Sequence, residues 1–250
     1  MRHQPYAREV PASRCAVLFV HGILGTPDHF ARFLPLVPAD WSVRSLLLAG
    51  HGGDVRAFSR ASMAQWQAQV GRAVDELCAA HERVYLAAHS MGTLLALQQA
   101  VRRPERIAGL FLLAVPLRVA PKPLALLRLF RLGLDLAPPS DASLAAVRAA
   151  YGLTPDRRVW RYLGWTPRYL ELFAQIRRTR ALLPRLTVPC QVWQSAHDEL
   201  LPASAAEPLA ALPCARVRTL PASGHYSYTP ADERALLHAF SAFVRSRFSP

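Results

Sequence analysis

The sequence predicts an α/β fold in which a mostly parallel β-sheet is covered by helices on both faces. Short, almost continuously apolar segments alternate with helical segments along the chain, as expected for strands that are buried on both faces. Apolar side chains recur at steps of three and four residues between Ser62 and His81, which indicates an amphipathic helix. The 250 residues, 52% of them hydrophobic, are enough to form one large core.

Six apolar segments rich in β-branched residues are predicted to be strands. They are Arg14–Val20, Val43–Leu48, Arg83–Ala88, Ile107–Ala114, Val188–Gln194 and Ala215–Leu220. The helical segments between and after them have apolar periodicity and plausible end signals. They are a short helix opening at Pro27, and the longer segments Ser62–His81, Thr93–Val101, Ser204–Leu212 and Ala231–Phe248.

The alternation of strands and helices is interrupted once. Residues 115–185 are rich in Leu, Arg and Pro and predict several helices without a strand. We therefore expect a core domain made of residues 1–114 and 186–250, with residues 115–185 inserted after the fourth predicted strand as a helical cap.

The net charge of +13 raises the question of nucleic-acid binding. Lys122 is the only lysine and the chain contains no Asn, a skew that resembles the residue usage of a GC-rich genome. The segment from Pro116 to Arg185 holds 13 basic and 4 acidic residues, so most of the charge belongs to the predicted cap. Because no zinc-finger, RNA-binding or recognition-helix motif accompanies the charge, we expect no nucleic-acid partner.

A cytoplasmic location is expected from the first residues of the sequence and from the length of its apolar runs. The first ten residues lack the charged-then-apolar pattern of a secretory signal, and the longest apolar run, Ile107–Leu117, is too short to span a bilayer. The four cysteines are scattered without metal-ligand spacing and are expected to be free thiols, with no metal site. They are Cys15, Cys78, Cys190 and Cys214.

A candidate nucleophile lies where the third predicted strand meets a helix, in Ala88-His89-Ser90-Met91-Gly92. A serine on such a sharp strand-to-helix turn projects its hydroxyl beyond the edge of the sheet. The turn leaves little space on either side, which small residues at 88 and 92 satisfy. The structural alternative is an ordinary serine that caps the helix N-terminus.

A glycine-containing loop, HGILG at residues 21–25, follows the first predicted strand. Its glycines allow the backbone to approach a reacting group closely. The backbone N–H groups of Ile23 and Met91 are expected to form an oxyanion hole, helped by the positive end of the helix that begins at Met91. His21 is expected to be structural, bonded to nearby loop backbone.

Asp198 and His225 follow the fifth and sixth predicted strands. The carboxyl ends of parallel strands meet at one edge of the sheet, so these residues are expected near Ser90, in the chain order Ser, Asp, His. His225 is the expected base and Asp198 the acid that orients it. Glu199 remains an alternative acid, and His89 and His197 are expected to be site walls or surface residues.

The fragments LFVHGILG, LAGHGG, LAAHSMG, SAHDELLP and SGHYSY resemble the small α/β-hydrolases of the carboxylesterase and monoacylglycerol lipase group. The resemblance covers residues 14–114 and 187–248. It implies a triad, an oxyanion hole and no cofactor. The residues it assigns are Ser90, Asp198 and His225 for the triad, and Ile23 and Met91 for the oxyanion hole.

Two features refine this resemblance. Ala88 stands where the family more often has Gly, a small change in side-chain volume. Ser90 occupies the position that dehalogenases and epoxide hydrolases fill with Asp, so their chemistry is disfavoured.

The cap position in the family covers the active site and shapes the acyl pocket. Some apolar side chains within residues 115–185 are therefore expected to form a wall over Ser90. At least half of the apolar side chains in this segment are expected only to hold the cap to the core. The residues expected to contact substrate are His89, Leu24, Leu127, Phe130, Trp165 and Tyr226. The cap arginines are either a solvated basic surface or a feature that attracts anionic substrates or an anionic membrane.

The resulting prediction is a cofactor-free serine hydrolase that cleaves carboxylic esters through an acyl-enzyme intermediate, with a small acyl ester as its substrate. Acyl thioesters are an alternative substrate class. The short HGILG loop and the HSMG turn also resemble the lyase of menaquinone synthesis, which uses the same three residue types without hydrolysis. A small-molecule receptor built on the hydrolase fold is a further alternative.

Overall fold

The computed structural model describes residues 3–136, 147 and 151–245. Its centre is a seven-stranded sheet in the order β1-β3-β2-β4-β5-β6-β7, in which every neighbouring pair is parallel except β1 with β3. The strands are β1 (Tyr6–Arg8), β2 (Cys15–Val20), β3 (Ser42–Leu46), β4 (Arg83–His89), β5 (Ile107–Leu113), β6 (Cys190–Ser195) and β7 (Ala215–Leu220).

The predicted α/β class is confirmed, and the six predicted strands correspond to β2–β7 with ends that differ by one or two residues at most. Strand β1 was missed. It is only three residues long, is largely exposed, and pairs antiparallel with β3 at the edge of the sheet. No buried face imposes an apolar pattern on such an edge strand, so the sequence carries no signal for it.

The helices flank the sheet on both faces. They are α1 (Val55–Arg60), α2 (Met63–Ala80), α3 (Met91–Arg102), α4 (Pro123–Gly133), α5 (Thr166–Leu182), α6 (Glu207–Ala210) and α7 (Pro230–Arg245). The helix predicted for residues 204–212 is a 3-10 turn, Ala203–Ala206, followed by the short α6. Of the helix predicted for residues 231–248, residues 246–248 lie outside the described part of the chain.

Alternate residues of each buried strand enter two separate cores. On β2, Leu18 and Val20 pack with the side chains of α2 and α3, whereas Phe19 faces an aromatic cluster that includes Phe111 of β5 and Phe240 of α7. The Phe19 and Phe240 ring centroids are 5.7 Å apart. Burial on both faces therefore fixes the strand register, and with it the positions of the loops that leave the carboxyl ends of the strands.

The segment predicted as a cap contains α4, a 3-10 helix over Val159–Trp165, and α5, and its described residues form no strand apart from an isolated bridge between Asp54 and Thr154. Helix α5 is fixed to the core by side-chain hydrogen bonds. Gln67 Nε2 donates to Gln175 Oε1 at 2.8 Å, and the backbone N–H of Met63 donates to Glu171 Oε2 at 2.9 Å.

The four cysteines are free thiols, as predicted. Among the helices in the described part of the chain, none is both long enough and apolar enough to cross a membrane.

Candidate active site

Ser90 lies on a strained turn between β4 and α3. Its φ of 51° and ψ of −125° fall in a region that non-glycine residues rarely adopt, at a cost of about 1–3 kcal/mol. The backbone N–H of Ser90 donates to the carbonyl oxygen of Leu113 at 2.9 Å. Its side chain makes no capping hydrogen bond to α3, so the alternative of an ordinary N-cap serine is wrong.

Glycines on both sides make room for this turn. A Cβ at Gly22 would lie 2.8 Å from Ser90 Cβ. A Cβ at Gly92 would overlap the backbone oxygen atoms of Val20 and His21. Position 92 thus requires a small residue because α3 closely approaches the end of β2 there.

A continuous line of hydrogen bonds joins the three loops that carry Ser90, His225 and Asp198. The Ser90 Oγ–H donates to His225 Nε2 at 3.1 Å, and His225 Nδ1–H donates to Asp198 Oδ2 at 2.8 Å. All three side chains are buried. The line has the geometry that lets an imidazole accept the proton of a serine hydroxyl while a carboxylate holds the ring in one tautomer.

The carboxylate of Asp198 is fixed from behind. Its Oδ1 accepts hydrogen bonds from the backbone N–H groups of Leu200 and Leu201, both at 2.8 Å. Glu199 points elsewhere, and its Oε2 accepts the backbone N–H of His225 at 2.9 Å. Of the two acids that the sequence left open, Asp198 therefore contacts the imidazole, and Glu199 holds the main chain that carries it.

The predicted oxyanion donors lie at the same edge of the sheet as Ser90, and both line the cavity beside it. Met91 is the first residue of α3, so its N–H has no partner within the helix. Ile23 and Met91 have no acceptor for their backbone N–H among the described residues. Two such donors beside a serine hydroxyl can stabilise negative charge on a bound oxygen atom.

Two histidines hold the loop that carries Ile23. His51 Nε2 accepts the backbone N–H of Leu24 at 3.1 Å, and His21 Nε2 accepts the backbone N–H of Leu48 at 3.0 Å. Tyr226 Oη–H donates to the carbonyl oxygen of Ile23 at 3.2 Å. The Leu24 N–H and the Ile23 carbonyl are thus hydrogen-bonded, whereas the Ile23 N–H stays available to a bound oxygen atom.

Burial keeps both loop histidines neutral. It lowers the pKa of His21 to about 4 and lowers the pKa of His51 well below its ordinary value. A protonated ring would present N–H groups at both nitrogen atoms and could not accept the backbone N–H of Leu24 or Leu48. The acceptor role of each ring therefore requires the neutral form that burial favours.

A cavity of about 500 Å³ opens over Ser90 and His225. The cap residues in its wall include Leu126, Leu129, Phe130, Leu134, Tyr151, Tyr162, Trp165, Thr166, Tyr169, Leu172 and Phe173. No Asp, Glu, Lys or Arg occurs among the described residues that line it. Such a wall fits an uncharged, largely apolar ligand.

Four of the six residues expected to contact substrate line this cavity: Leu24, Phe130, Trp165 and Tyr226. The other two lie elsewhere. His89 is buried behind the site, where its Nε2–H donates to the carbonyl oxygen of His225 at 3.0 Å. Leu127 is half exposed on the outer surface of α4, because the residues one position earlier and two and three later on the helix are those that face the cavity.

Sequence reasoning missed His51 and the tyrosines at positions 151, 162 and 169. His51 lies in the fragment LAGHGG, which contributes to the family resemblance but does not itself indicate a role for the histidine. The tyrosines lie in the cap, where no strand register indicates which side chains point inward. Within residues 3–136, 147 and 151–245, no group of three or more His, Cys, Asp or Glu side chains is placed to hold a metal ion.

A family model described as "Alpha/beta hydrolase family" matches residues 17–238. The chain belongs to the alpha/beta hydrolase family. The membership of the α/β-hydrolases that the sequence motifs indicated is thereby confirmed.

Curated relatives match parts of this chain. The pimeloyl-[acyl-carrier protein] methyl ester esterase of Neisseria meningitidis is 32% identical over 117 residues, which are 46% of this chain and 42% of the esterase. A dihydrolipoyllysine-residue acetyltransferase component of the acetoin cleaving system of Pseudomonas putida is 33% identical over 98 residues, which are 39% of this chain and 26% of that protein. The matches thus span less than half the length of either relative.

Solved structures resemble this chain over almost its whole length. A structure described under LipS and LipT, two metagenome-derived lipolytic enzymes, has a TM-score of 0.75 at 24% identity and covers 98% of each chain. The monoacylglycerol lipase of Paleococcus ferrophilus has a TM-score of 0.66 at 18% identity, covering 97% of this chain and 99% of the lipase. At these identities the likeness establishes the fold.

The free energy of unfolding is expected to decrease as the pH falls from about 6.5 towards 5. The folded protein lowers the pKa of His21 to about 4 and of His29 to about 3, and lowers the pKa values of His51 and His89 as well, mainly through burial. In this range the unfolded chain binds protons that the folded chain excludes, so each histidine contributes up to roughly 1.4 kcal/mol per pH unit.

Urea denaturation between about pH 7 and pH 5 measures this dependence. The variant His89→Gln should show a shallower dependence, smaller by the contribution of one histidine. An unfolding free energy that does not change over this range, or a steeper change in His89→Gln, would contradict the assignment of buried neutral histidines.

Proposed function

We propose that this protein is a carboxylic-ester hydrolase that acts through an acyl-enzyme intermediate, with a small acyl ester as its substrate. One observation supports this function above all others. The hydrogen-bonded line from Ser90 through His225 to Asp198 ends in an apolar cavity, beside two backbone N–H groups that have no acceptor among the described residues.

Ser90 is the proposed nucleophile. His225 Nε2 accepts the hydroxyl proton as Ser90 Oγ forms a bond to the carbonyl carbon of the ester, and the carbonyl oxygen gains a negative charge. The N–H groups of Ile23 and Met91 bind that oxygen. The tetrahedral species collapses when the bond to the leaving oxygen breaks and His225 gives its proton to the alcohol, which leaves an ester on Ser90.

Water then releases the acyl group by the same steps. His225 removes a proton from water, the hydroxide adds to the acyl carbon, and Ser90 leaves with the proton returned by the imidazolium. Asp198 keeps the proton of the neutral ring on Nδ1, so that Nε2 of the neutral ring is the acceptor. The negative charge of Asp198 also stabilises the imidazolium.

The cavity supports an apolar acyl chain as the part of the substrate that enters. Its described wall carries leucines, aromatic rings and tyrosine hydroxyls but no charged side chain. A carboxylate or phosphate placed there would lose its hydration without gaining a cationic partner. Anionic groups of a substrate are therefore expected to stay outside the cavity.

The same feature separates the alternatives. The lyase of menaquinone synthesis takes a polyanionic substrate, for which the described wall of this cavity offers no cationic side chain. A thioester differs from an ester in its leaving atom alone and would use the same residues, so thioesters belong in the same assay. A receptor would have no need for the strained Ser90, whose hydroxyl already bonds to His225.

Hydrolysis of p-nitrophenyl acyl esters, and of matching thioesters, tests this function. Ser90→Ala should lower kcat about 10⁴-fold or more. Asp198→Asn should lower it about 10⁴-fold because the ring would adopt the wrong tautomer. The control is His197→Ala, an exposed side chain next to Asp198, which should retain the parent rate.

Two results would contradict the proposal. One is an unchanged rate in Ser90→Ala. The other is the absence of hydrolysis for every ester and thioester in a series of acyl lengths, together with no covalent labelling of Ser90 by a fluorophosphonate. The second result would favour the receptor, whereas labelling of Ser90 without any hydrolysis would favour the lyase.

His51 is the proposed positioning residue for the oxyanion loop. In His51→Ala the N–H of Leu24 loses its acceptor, so the loop can turn and withdraw the N–H of Ile23. We expect kcat to fall about tenfold or more with a much smaller change in KM, because the lost interaction acts mainly in the transition state. The matched control is His81→Ala, which removes another buried histidine, bonded to the carbonyl oxygen of Ser13 far from Ser90.

Both variants should lose stability, measured by urea denaturation, but only His51→Ala should lose kcat. An equal loss of kcat in the two variants would show that the effect of His51 is merely structural.

A further inference from the structure

The outer surface of the cap exposes large apolar side chains. The sequence predicted that at least half of the cap's apolar residues would only hold it to the core, but several of them are exposed. Leu124, Leu127 and Leu170 are 57%, 53% and 63% exposed. Exposed apolar side chains that form a contiguous patch mark a site of interaction with a partner or a membrane.

This apolar surface continues into the cavity. Leu126, Phe130 and Phe173 line the cavity and are nevertheless 49%, 51% and 45% exposed. They therefore form its mouth. Leu126 and Phe130 lie on α4 and Phe173 on α5, so the mouth opens between these two helices.

Helix α4 is apolar around most of its circumference. Leu126, Leu129 and Phe130 face the cavity, and the 100° step per residue places Leu124 and Leu127 on the opposite face. Two arginines share that outer face, since Arg128 and Arg131 each follow one of these leucines by one turn.

Helix α5 repeats the combination. Leu170, Phe173, Arg177 and Arg180 follow one another at steps of three and four residues, so they lie along one face of the helix. The leucine and phenylalanine are nearest the mouth, and the two arginines, both exposed, lie one and two turns beyond.

The arginines on the outer faces of α4 and α5 have no acidic partners among the described residues. Each described acid of the cap already pairs with another arginine: Asp135 with Arg157 at 3.3 Å, Asp156 with Arg158 at 2.9 Å, and Glu171 with Arg168 at 2.9 Å. On α4 and α5, the arginines without a described carboxylate partner are Arg128, Arg131, Arg177, Arg178 and Arg180.

We propose that the outer face of α4 and α5, defined by Leu124, Leu127, Leu170 and the five free arginines, docks on an anionic phospholipid surface. The leucines enter the boundary between headgroups and acyl chains, and the arginines reach back to phosphate and carboxylate groups. Docking in this orientation brings the mouth of the cavity towards the lipid, the source of apolar acyl chains. The direction of substrate entry rests on the proposed function, whereas the binding itself does not.

Charge complementarity and the arrangement of the helices favour lipid over an acidic carrier protein. An acidic protein would pair with the arginines but would have to cover leucines that alternate with them at every turn. A helix with leucines and arginines mixed on its outer face, and without any acidic residue, is suited to lie in a lipid–water interface.

Co-sedimentation with vesicles tests the proposal. The Ser90→Ala protein is used, so that lipid hydrolysis does not interfere, with vesicles of phosphatidylcholine alone or with added phosphatidylserine. We expect at least about tenfold stronger binding to the phosphatidylserine vesicles, and weaker binding as salt is added.

Matched substitutions locate the surface. Arg128→Gln with Arg131→Gln should weaken binding by roughly fivefold for each arginine removed, and Leu124→Ser with Leu127→Ser should weaken it as well. The control pair, Arg72→Gln with Arg234→Gln, removes the same charge from two exposed core helix positions and should bind like the parent.

Equal binding to the two kinds of vesicle would overturn the proposal, as would equal losses in the cap pair and the control pair. Binding to a purified acidic acyl carrier protein without binding to vesicles would overturn it in favour of a protein partner. When the four cap substitutions are made in the protein that keeps Ser90, hydrolysis of a soluble short-chain ester should stay unchanged. Vesicle binding without ester hydrolysis would refute the proposed function alone, and hydrolysis without vesicle binding would refute the docking surface alone.

Discussion

The positive φ of Ser90 is the constraint on which the site depends. A turn at φ 51° aims the hydroxyl out of the sheet and begins α3 at Met91, so that one piece of backbone supplies both the hydroxyl and a free N–H. The strain is tolerated because β4 and α3 are almost wholly buried on either side of it. Gly22 and Gly92 provide the remaining space, since a Cβ at either position would strike the neighbouring loop or strand.

The histidines around Ser90 divide into two chemical roles. His225 has one nitrogen on Asp198 and the other on Ser90, so it is placed to accept the serine proton while Asp198 holds the ring in one tautomer. His21 and His51 accept backbone N–H groups and stay neutral because they are buried. In a chain that contains no Asn, buried neutral imidazoles therefore accept the hydrogen bonds that hold the loop carrying Ile23.

Sequence reasoning located the parts of the site that follow strands. Ser90, Asp198 and His225 each come after a buried strand, and parallel pairing brings those strand ends together. It failed where no strand imposes a register. Leu127 was expected over the site, but the rotation of α4 turns it outward, and a helix that is apolar around most of its circumference gives little indication of its inner face. The bond from His51 to Leu24 joins residues 27 positions apart, which a pattern of local spacing does not reveal.

The crystal structure of the protein after reaction with an alkyl fluorophosphonate tests the arrangement most directly, because the bound phosphonate resembles the tetrahedral species of ester hydrolysis. We expect phosphorus bonded to Ser90 Oγ, the phosphonyl oxygen within hydrogen-bond distance of the N–H groups of Ile23 and Met91, and the alkyl chain in the cavity under α4 and α5. A phosphonate on another residue, or a phosphonyl oxygen turned away from both N–H groups, would contradict it.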